Sequence, residues 1–174
     1  MSRGTFTVAG GGPVGSLLAI LLARHGYTVG LYEGRPDSRV TSIYQGRSIN
    51  IALSDRGWHS LAEIGISADA KAQAIPMYRR AVHGIDGELT AIPYGMEHEA
   101  IWSVSRSGIN ELLLDLADAE ENIETHFEHR LLDVDFETAA AVFKTPGEQE
   151  ITVEADYLFG ADGAYSKVRR LAHD

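Results

Sequence analysis

The chain has 174 residues, and 44% of them are hydrophobic, which is enough apolar content to bury one core of domain size. Its net charge of −10 argues against nucleic acid or an anionic membrane surface as a partner. The absence of cysteine excludes disulfides, thiolate metal ligands and a cysteine nucleophile, and it fits a cytoplasmic protein.

A glycine-rich turn follows the first predicted strand, residues 5–9. Gly10 permits a tight turn from strand to helix, Gly12 lets a pyrophosphate approach the backbone, and Gly15 lets the helix pack closely on the sheet. The N-terminus of that helix offers unpaired N–H groups and the positive end of its dipole to phosphates. The turn therefore predicts a dinucleotide site, and the alternative is a structural turn that binds no ligand.

The predicted helix covers residues 13–25, and a second strand covers residues 28–32. The apolar run inside this helix, residues 14–23, is far shorter than the roughly 20 residues of a membrane span, so no membrane partner is expected. Glu33 follows the second strand directly. Its distance from Gly10 places its carboxylate to accept hydrogen bonds from a ribose 2′-hydroxyl.

The remaining pattern alternates strands with helices, which predicts an α/β fold with a Rossmann-like βαβ core, a parallel sheet and inserted antiparallel strands. Ser54 and Ser105 are predicted helix caps, and Asp86-Gly87 predicts a hairpin turn. The predicted strands after Glu33 are residues 49–53, 78–85, 88–94, 101–104, 124–129, 131–137, 140–144, 150–153 and 157–160.

Several runs together are similar to the kynurenine 3-monooxygenases, within the flavoprotein aromatic hydroxylase family. The run at residues 160–169 resembles the Asp-Gly motif of the aromatic hydroxylases. The more particular runs are residues 46–54, 75–80, 91–95 and 127–132. The resemblance implies FAD and NADPH as cofactors. It also implies molecular oxygen and L-kynurenine as substrates, and 3-hydroxykynurenine as the product.

The resemblance also implies the domain organisation. The whole chain, residues 1–174, is expected to form the N-terminal portion of an FAD-binding domain, with strands of residues 75–104 inserted to serve the substrate site. Family members continue with a second flavin motif and the rest of the substrate domain. The substrate domain is therefore expected to be incomplete here, and the chain alone to hydroxylate weakly or not at all.

Two residues match the substrate contacts of the family. Arg80 is expected to pair with the substrate carboxylate, since a guanidinium offers a planar fork that suits it. Tyr94 is expected to contact the same substrate through its phenol. Arg79 is expected on the opposite face of the strand, because side chains alternate. The alternatives are two solvated arginines and a tyrosine that only packs.

A second set of positions matches the cofactor contacts of the family. Arg106 opens a predicted helix, where a cation opposes the helix dipole unless an anionic phosphate lies nearby. Asp162 is expected to bind a cofactor sugar hydroxyl, although Asp162-Gly163 is also a common turn. The other matching positions, where ordinary packing or solvation is the alternative, are Pro13, Arg35, Ala52, Leu131 and Lys167.

No side chain is assigned a catalytic role, because the cofactor carries the chemistry. His126 and His129 are expected on opposite faces of one strand, and no metal site is predicted. Two other functions remain open: an NAD(P)-dependent dehydrogenase that uses the same glycine turn, and a nonenzymatic nucleotide-binding module.

Overall fold

A computed structural model describes residues 3–40 and 49–173, which form two compact units. The first unit comprises Met1–Gly46 and Asn110–Asp174, and the second comprises Arg47–Ile109. Residues 46–48, which begin one of the runs that carry the resemblance, lie outside the described residues.

The first unit is built on a parallel sheet of four strands in the order β12-β1-β2-β8. The sheet confirms the predicted α/β class, because consecutive parallel strands β1 and β2 are joined by a crossover helix. The elements of this unit are β1 (Thr5–Ala9), α1 (Pro13–Arg24), β2 (Thr28–Tyr32), α4 (Arg106–Ala119, which begins in the second unit), β8 (Ile123–His126), β9 (Arg130–Val134), β10 (Ala141–Lys144), β11 (Glu150–Val153), β12 (Tyr157–Gly160) and α5 (Lys167–Leu171).

Both faces of the parallel sheet are covered. Side chains alternate across a strand, so Val8 and Leu31 pack with Ala19 of α1 and Leu114 of α4 on one face. Tyr32 faces the other side, where it packs with Phe143 of an antiparallel sheet of order β11-β10-β9. The result is a three-layer unit in which the two inner strands, β1 and β2, are buried on both sides, as strands of parallel sheets are.

The second unit contains the inserted antiparallel strands. Its elements are β3 (Asn50–Leu53), α2 (Asp55–Glu63), α3 (Ser67–Ala72), β4 (Ile75–Met77), β5 (Arg79–His83), β6 (Leu89–Pro93) and β7 (Ile101–Ser105). Strands β3, β7 and β4 form one sheet, and β5 pairs with β6 in a separate hairpin. The hairpin turns at Gly87 with φ of +85°, as the Asp-Gly pair predicts.

Several predicted boundaries were wrong, and the error at the end of β8 has a clear local cause. The strand predicted over 124–129 ends at His126, since Glu128 adopts a left-handed φ of +58° and turns the chain. That turn also brings the rings of His126 and His129 to 5.3 Å between centroids, instead of placing them on opposite faces. Ser54 sits at the N-cap of α2 but makes no side-chain cap, whereas the Ser105 hydroxyl accepts the Gly108 N–H at 3.2 Å.

Arg39 ties the segment after β2 to α4. Its guanidinium donates to Asp37 at 2.8 Å, to Asp115 at 2.9 Å and to Asp118 at 2.7 Å. It also lies 5.7 Å from the centroid of the Phe127 ring. The arginine holds the pKa of the Asp37 carboxyl below its ordinary value, mainly through their side-chain hydrogen bond. One mostly buried cation therefore holds three carboxylates.

We expect Arg39→Leu to lower the free energy of unfolding by about 2–4 kcal/mol, because it leaves the half-buried Asp37 carboxylate without this cation. Lys144→Leu is the control, since Lys144 pairs with Glu148 in solvent and exposed pairs contribute less than about 1 kcal/mol. Urea denaturation of both variants measures the difference. Equal midpoints would show that the Arg39 cluster is no stronger than a surface pair.

Candidate functional site

The glycine turn is packed directly against the end of β12. The Gly10 N–H donates to the Tyr32 carbonyl at 2.7 Å, and the Ala161 N–H donates to the Ala9 carbonyl at 2.7 Å. Gly10 has φ of +114°, and a Cβ there would lie 2.5 Å from the Ala161 carbonyl oxygen. A side chain at this position is excluded by both the backbone conformation and the space.

Gly15 and Gly12 differ sharply in their surroundings. A Cβ on Gly15 would lie 1.8 Å from the Gly10 carbonyl oxygen, so α1 can approach the turn only because Gly15 has no side chain. A Cβ on Gly12 would meet nothing within 4 Å. Gly12 is the N-cap of α1, with Pro13 at the first helical position, and its cap involves no side chain. The N-terminus of this 12-residue helix is thus an open cradle of backbone groups, which fits a pyrophosphate.

The Glu33 carboxylate faces this cradle. Its Oε2 accepts the Gly11 N–H at 2.9 Å, while its Oε1 accepts the backbone N–H and the Nε of Arg35, each at 2.9 Å. Glu33 is buried, with 9% of its surface exposed. A Cβ on Gly11 would lie 2.9 Å from the Glu33 Cβ. Sequence reasoning missed Gly11, because the dinucleotide pattern leaves that position free, and the run of three glycines was the available signal.

Arg35 and Leu131 lie close to Glu33, where the chain after β2 runs beside the start of β9. The Arg35 side chain is 65% exposed and its guanidinium pairs with the Glu33 carboxylate. A Cβ on Gly34 would lie 3.6 Å from the Cα of Arg130, so the chain after Glu33 runs beside the start of β9. Leu131, the second residue of β9, is partly buried against the cluster that contains Phe143.

Asp162 follows β12 and is adjacent to the glycine turn, since a Cβ on Gly10 would lie 2.8 Å from its backbone nitrogen. Its carboxylate accepts the Ser166 hydroxyl at 2.5 Å, and the backbone N–H groups of Lys167 at 2.5 Å and Val168 at 3.2 Å. Gly163 has φ of +80° and turns the chain between them. The Asp-Gly pair therefore forms a turn that orders the start of α5, and its contact with a cofactor sugar stays a prediction.

Four predicted site residues belong to the second unit. Ala52 lies on β3 opposite Ser103, and Arg106 is the first residue of α4, where its N–H donates to the Ile49 carbonyl at 3.2 Å. Arg80 and Tyr94 lie on the exposed β5–β6 hairpin.

The hairpin register places Arg80 and Tyr94 on one face. Arg80 is opposite Ile92, and the Tyr94 N–H donates to the Tyr78 carbonyl at 3.0 Å. Residues 78, 80, 92 and 94 therefore share a face, and Arg80 and Tyr94 are diagonal neighbours. Arg79, paired with Pro93, points to the other face as predicted. Tyr78 shares the Arg80 face and was missed as a site residue, although the predicted strands 78–85 and 88–94 already place it opposite Tyr94.

Comparison with known families decides which dinucleotide this arrangement matches. The FAD-binding domain family matches residues 5–173. The chain belongs to this family. The cradle at the start of α1, the Glu33 carboxylate and the Asp162–Gly163 turn all lie within the matched residues. Membership favours a flavin dinucleotide over the NAD(P)-dependent dehydrogenase that the glycine turn alone left open.

Curated relatives of this FAD-binding domain include kynurenine 3-monooxygenases. The protein of Drosophila melanogaster is 40% identical over 169 residues, which cover 97% of this chain and 36% of that protein. The protein of Salinispora tropica is 42% identical over 171 residues, which cover 97% of this chain and 38% of that protein. These relatives confirm the predicted similarity. The chain spans a little over a third of their length.

Solved structures show the same fold at lower identity. The flavin-dependent monooxygenase PieE, solved with FAD and substrate, matches 99% of this chain and 33% of its own with a TM-score of 0.81 at 19% identity. The p-nitrophenol 4-monooxygenase PnpA of Pseudomonas putida matches 97% of this chain and 43% of its own with a TM-score of 0.78 at 20% identity. The FAD-binding domain thus has the architecture of flavin-dependent monooxygenases.

Two further properties hold for residues 3–40 and 49–173. None of their helices is both long and apolar enough to cross a membrane. They contain no cluster of three or more His, Asp or Glu side chains that is arranged to hold a metal ion.

Gly15→Ala tests the contact on which the cradle depends. The added Cβ would lie 1.8 Å from a backbone oxygen. We therefore expect the free energy of unfolding to fall by about 3 kcal/mol or more. This loss is well above the roughly 1 kcal/mol by which alanine is more favourable than glycine in a helix. Thermal unfolding followed by circular dichroism measures the change. Gly12→Ala is the control, because Gly12 has φ of −76° and open space around a Cβ. Gly65→Ala would not serve, because Gly65 has φ of +84°. An unchanged melting temperature for Gly15→Ala would contradict the packing described.

Proposed function

We propose that this chain is the FAD-binding part of an enzyme that hydroxylates L-kynurenine to 3-hydroxykynurenine with NADPH and molecular oxygen. The single observation that carries the proposal is the open glycine cradle with the Glu33 carboxylate bonded to it, in a chain 40% identical to a kynurenine 3-monooxygenase. Bound FAD would supply the electron transfer between NADPH and oxygen that the hydroxylation requires.

The first unit contributes groups suited to the adenosine diphosphate half of FAD. Backbone N–H groups at the start of α1 would bind the pyrophosphate, and no side chain fills the space at Gly12. The Glu33 carboxylate would accept a ribose hydroxyl. Part of the hydrogen-bond accepting capacity of this carboxylate is already used, because Gly11 and Arg35 donate to it. Arg35, which pairs with Glu33, would contact the cofactor beside it.

The hairpin of the second unit contributes groups suited to the substrate. Arg80 would pair with the carboxylate of kynurenine, and Tyr94 would donate its phenol to the same group from the neighbouring strand. Their shared face on β5–β6 supports this assignment, since one ligand can reach both. Arg106 and Ala52 would contact FAD in the same proposal, as would Leu131, Asp162 and Lys167 in the first unit.

Gly12→Ala separates cofactor binding from folding. The methyl group has room in the free protein but would stand where the pyrophosphate approaches, so we expect FAD affinity to fall by about 5- to 150-fold. The melting temperature without FAD should not fall. Titration of the apoprotein with FAD, followed by flavin fluorescence, measures the affinity, and NADH serves as the competing dinucleotide. Tight NADH binding without FAD binding would overturn the flavin assignment.

Arg80→Ala tests the substrate assignment, in the enzyme that contains this chain. A charge-assisted hydrogen bond is worth about 1.5–3 kcal/mol, so kynurenine binding should weaken by about 10- to 150-fold while FAD content stays unchanged. Arg79→Ala is the matched control, since it removes the same charge from the opposite face of the same strand. Equal losses from both variants would mean that general charge, and not this face, binds the substrate.

A further inference from the structure

Two histidines and a tyrosine form a ring cluster beside Glu33. The His126 ring stacks on the Tyr32 ring with centroids 4.5 Å apart, and the His129 ring lies 5.3 Å from His126 and 5.9 Å from Tyr32. Phe143 stacks on the opposite side of Tyr32 at 4.3 Å. The rings come from β2, from the end of β8 and the turn after it, and from β10. The cluster therefore joins the parallel sheet to the antiparallel one.

The same two histidines hold the backbone of Glu33. The Glu33 N–H donates to the His126 carbonyl at 2.9 Å, and the His129 N–H donates to the Glu33 carbonyl at 2.9 Å. Glu33 also follows Tyr32 directly in the chain. Both peptide groups of Glu33 are thus fixed by the residues whose rings form the cluster. A change in the packing of those rings would move the carboxylate that faces the glycine turn.

The cluster suits a neutral imidazole at His126. The His129 Nδ1 lies 2.7 Å from the Phe127 carbonyl, and because a carbonyl only accepts, that nitrogen carries the proton. Partial burial, together with His129, lowers the pKa of His126 below its ordinary value. The Glu124 carboxylate, 3.5 Å from the His126 Nε2, acts in the opposite direction. That carboxylate is largely exposed and screened by solvent. Tyr32 adds no charge, since burial raises the pKa of its phenol.

We propose that His126 and His129 are positioning residues for Glu33, and that FAD binds tightly only while the His126 imidazole is neutral. The inference rests on the proposed role of Glu33 in binding the cofactor ribose. Protonation of His126 would place a cation in a partly buried stack of rings, where it loses hydration. The rings would separate, and the backbone bonds that seat Glu33 would weaken with them.

The direction of the pH dependence follows from the lowered pKa of His126. Above the ordinary histidine value, about 6.5, the imidazole is neutral in every state and affinity is at its full value. As the pH falls from there through the lower pKa of His126 in the folded protein, binding must expel the proton, and affinity falls by up to about tenfold per pH unit.

The test is a titration of the chain with FAD between about pH 8 and about pH 5.5 at constant ionic strength, where FAD has no titrating group of its own. We expect constant affinity from about pH 8 to about pH 7 and a loss of about 3- to 10-fold at about pH 5.5. Circular dichroism should stay constant over the range. Parallel unfolding would instead mean a merely structural role, and constant affinity would overturn the inference.

Variants assign the effect to the two rings. His126→Phe keeps a stacking ring without a titrating group, and His129→Gln keeps a donor for the Phe127 carbonyl. The double variant should bind FAD at about pH 8 and lose the pH response, whereas His59→Gln, an exposed histidine on α2, should retain it. A double variant with the full wild-type response would overturn the inference. Absence of FAD binding by the wild-type chain at about pH 8 would overturn the proposed function as well, whereas binding without a pH response overturns this inference alone.

Discussion

The hydrogen bond between the Gly11 N–H and the Glu33 carboxylate is the contact around which the first unit is organised. It joins the turn after β1 to the residue after β2, at the edge of the sheet where the carboxyl ends of parallel strands lie. The bond forms only if three other conditions hold. Gly10 must turn sharply against β12, Gly15 must admit α1 to the turn, and Gly11 must leave room for the Glu33 side chain.

The layers beneath that edge keep the two partners in place. β1 and β2 are buried on both faces, so their ends cannot shift independently of the layers that cover them. On one face the helices α1 and α4 pack on alternate residues of the strands. On the other, Tyr32 is stacked between the rings of His126 and Phe143, directly before Glu33 in the chain. The position of the Glu33 carboxylate thus depends on packing in both layers.

Sequence reasoning predicted the parts that depend on local pattern. β1, β2, β11 and β12 have the predicted bounds, because each is a short apolar or alternating run between clear turn residues. The contacts made by individual side chains were not predictable in the same way. Gly11 and the caps made by Asp162 depend on contacts between segments far apart in the chain, and a left-handed residue such as Glu128 leaves no signal in composition. That residue is why His126 and His129 meet.

A carboxylate beside an anion-binding cradle raises an electrostatic difficulty, above all in a chain with a net charge of −10. Arg35 resolves it locally. Its guanidinium and its own N–H both bond to Glu33, so the carboxylate presents little net charge to the cradle while it still accepts the Gly11 N–H. In the proposed function, the attraction for a pyrophosphate would come from the backbone dipoles at the start of α1 and not from a cationic side chain. Such a cradle would select an anion by close approach, so the glycines would matter more for binding than the overall charge of the protein does.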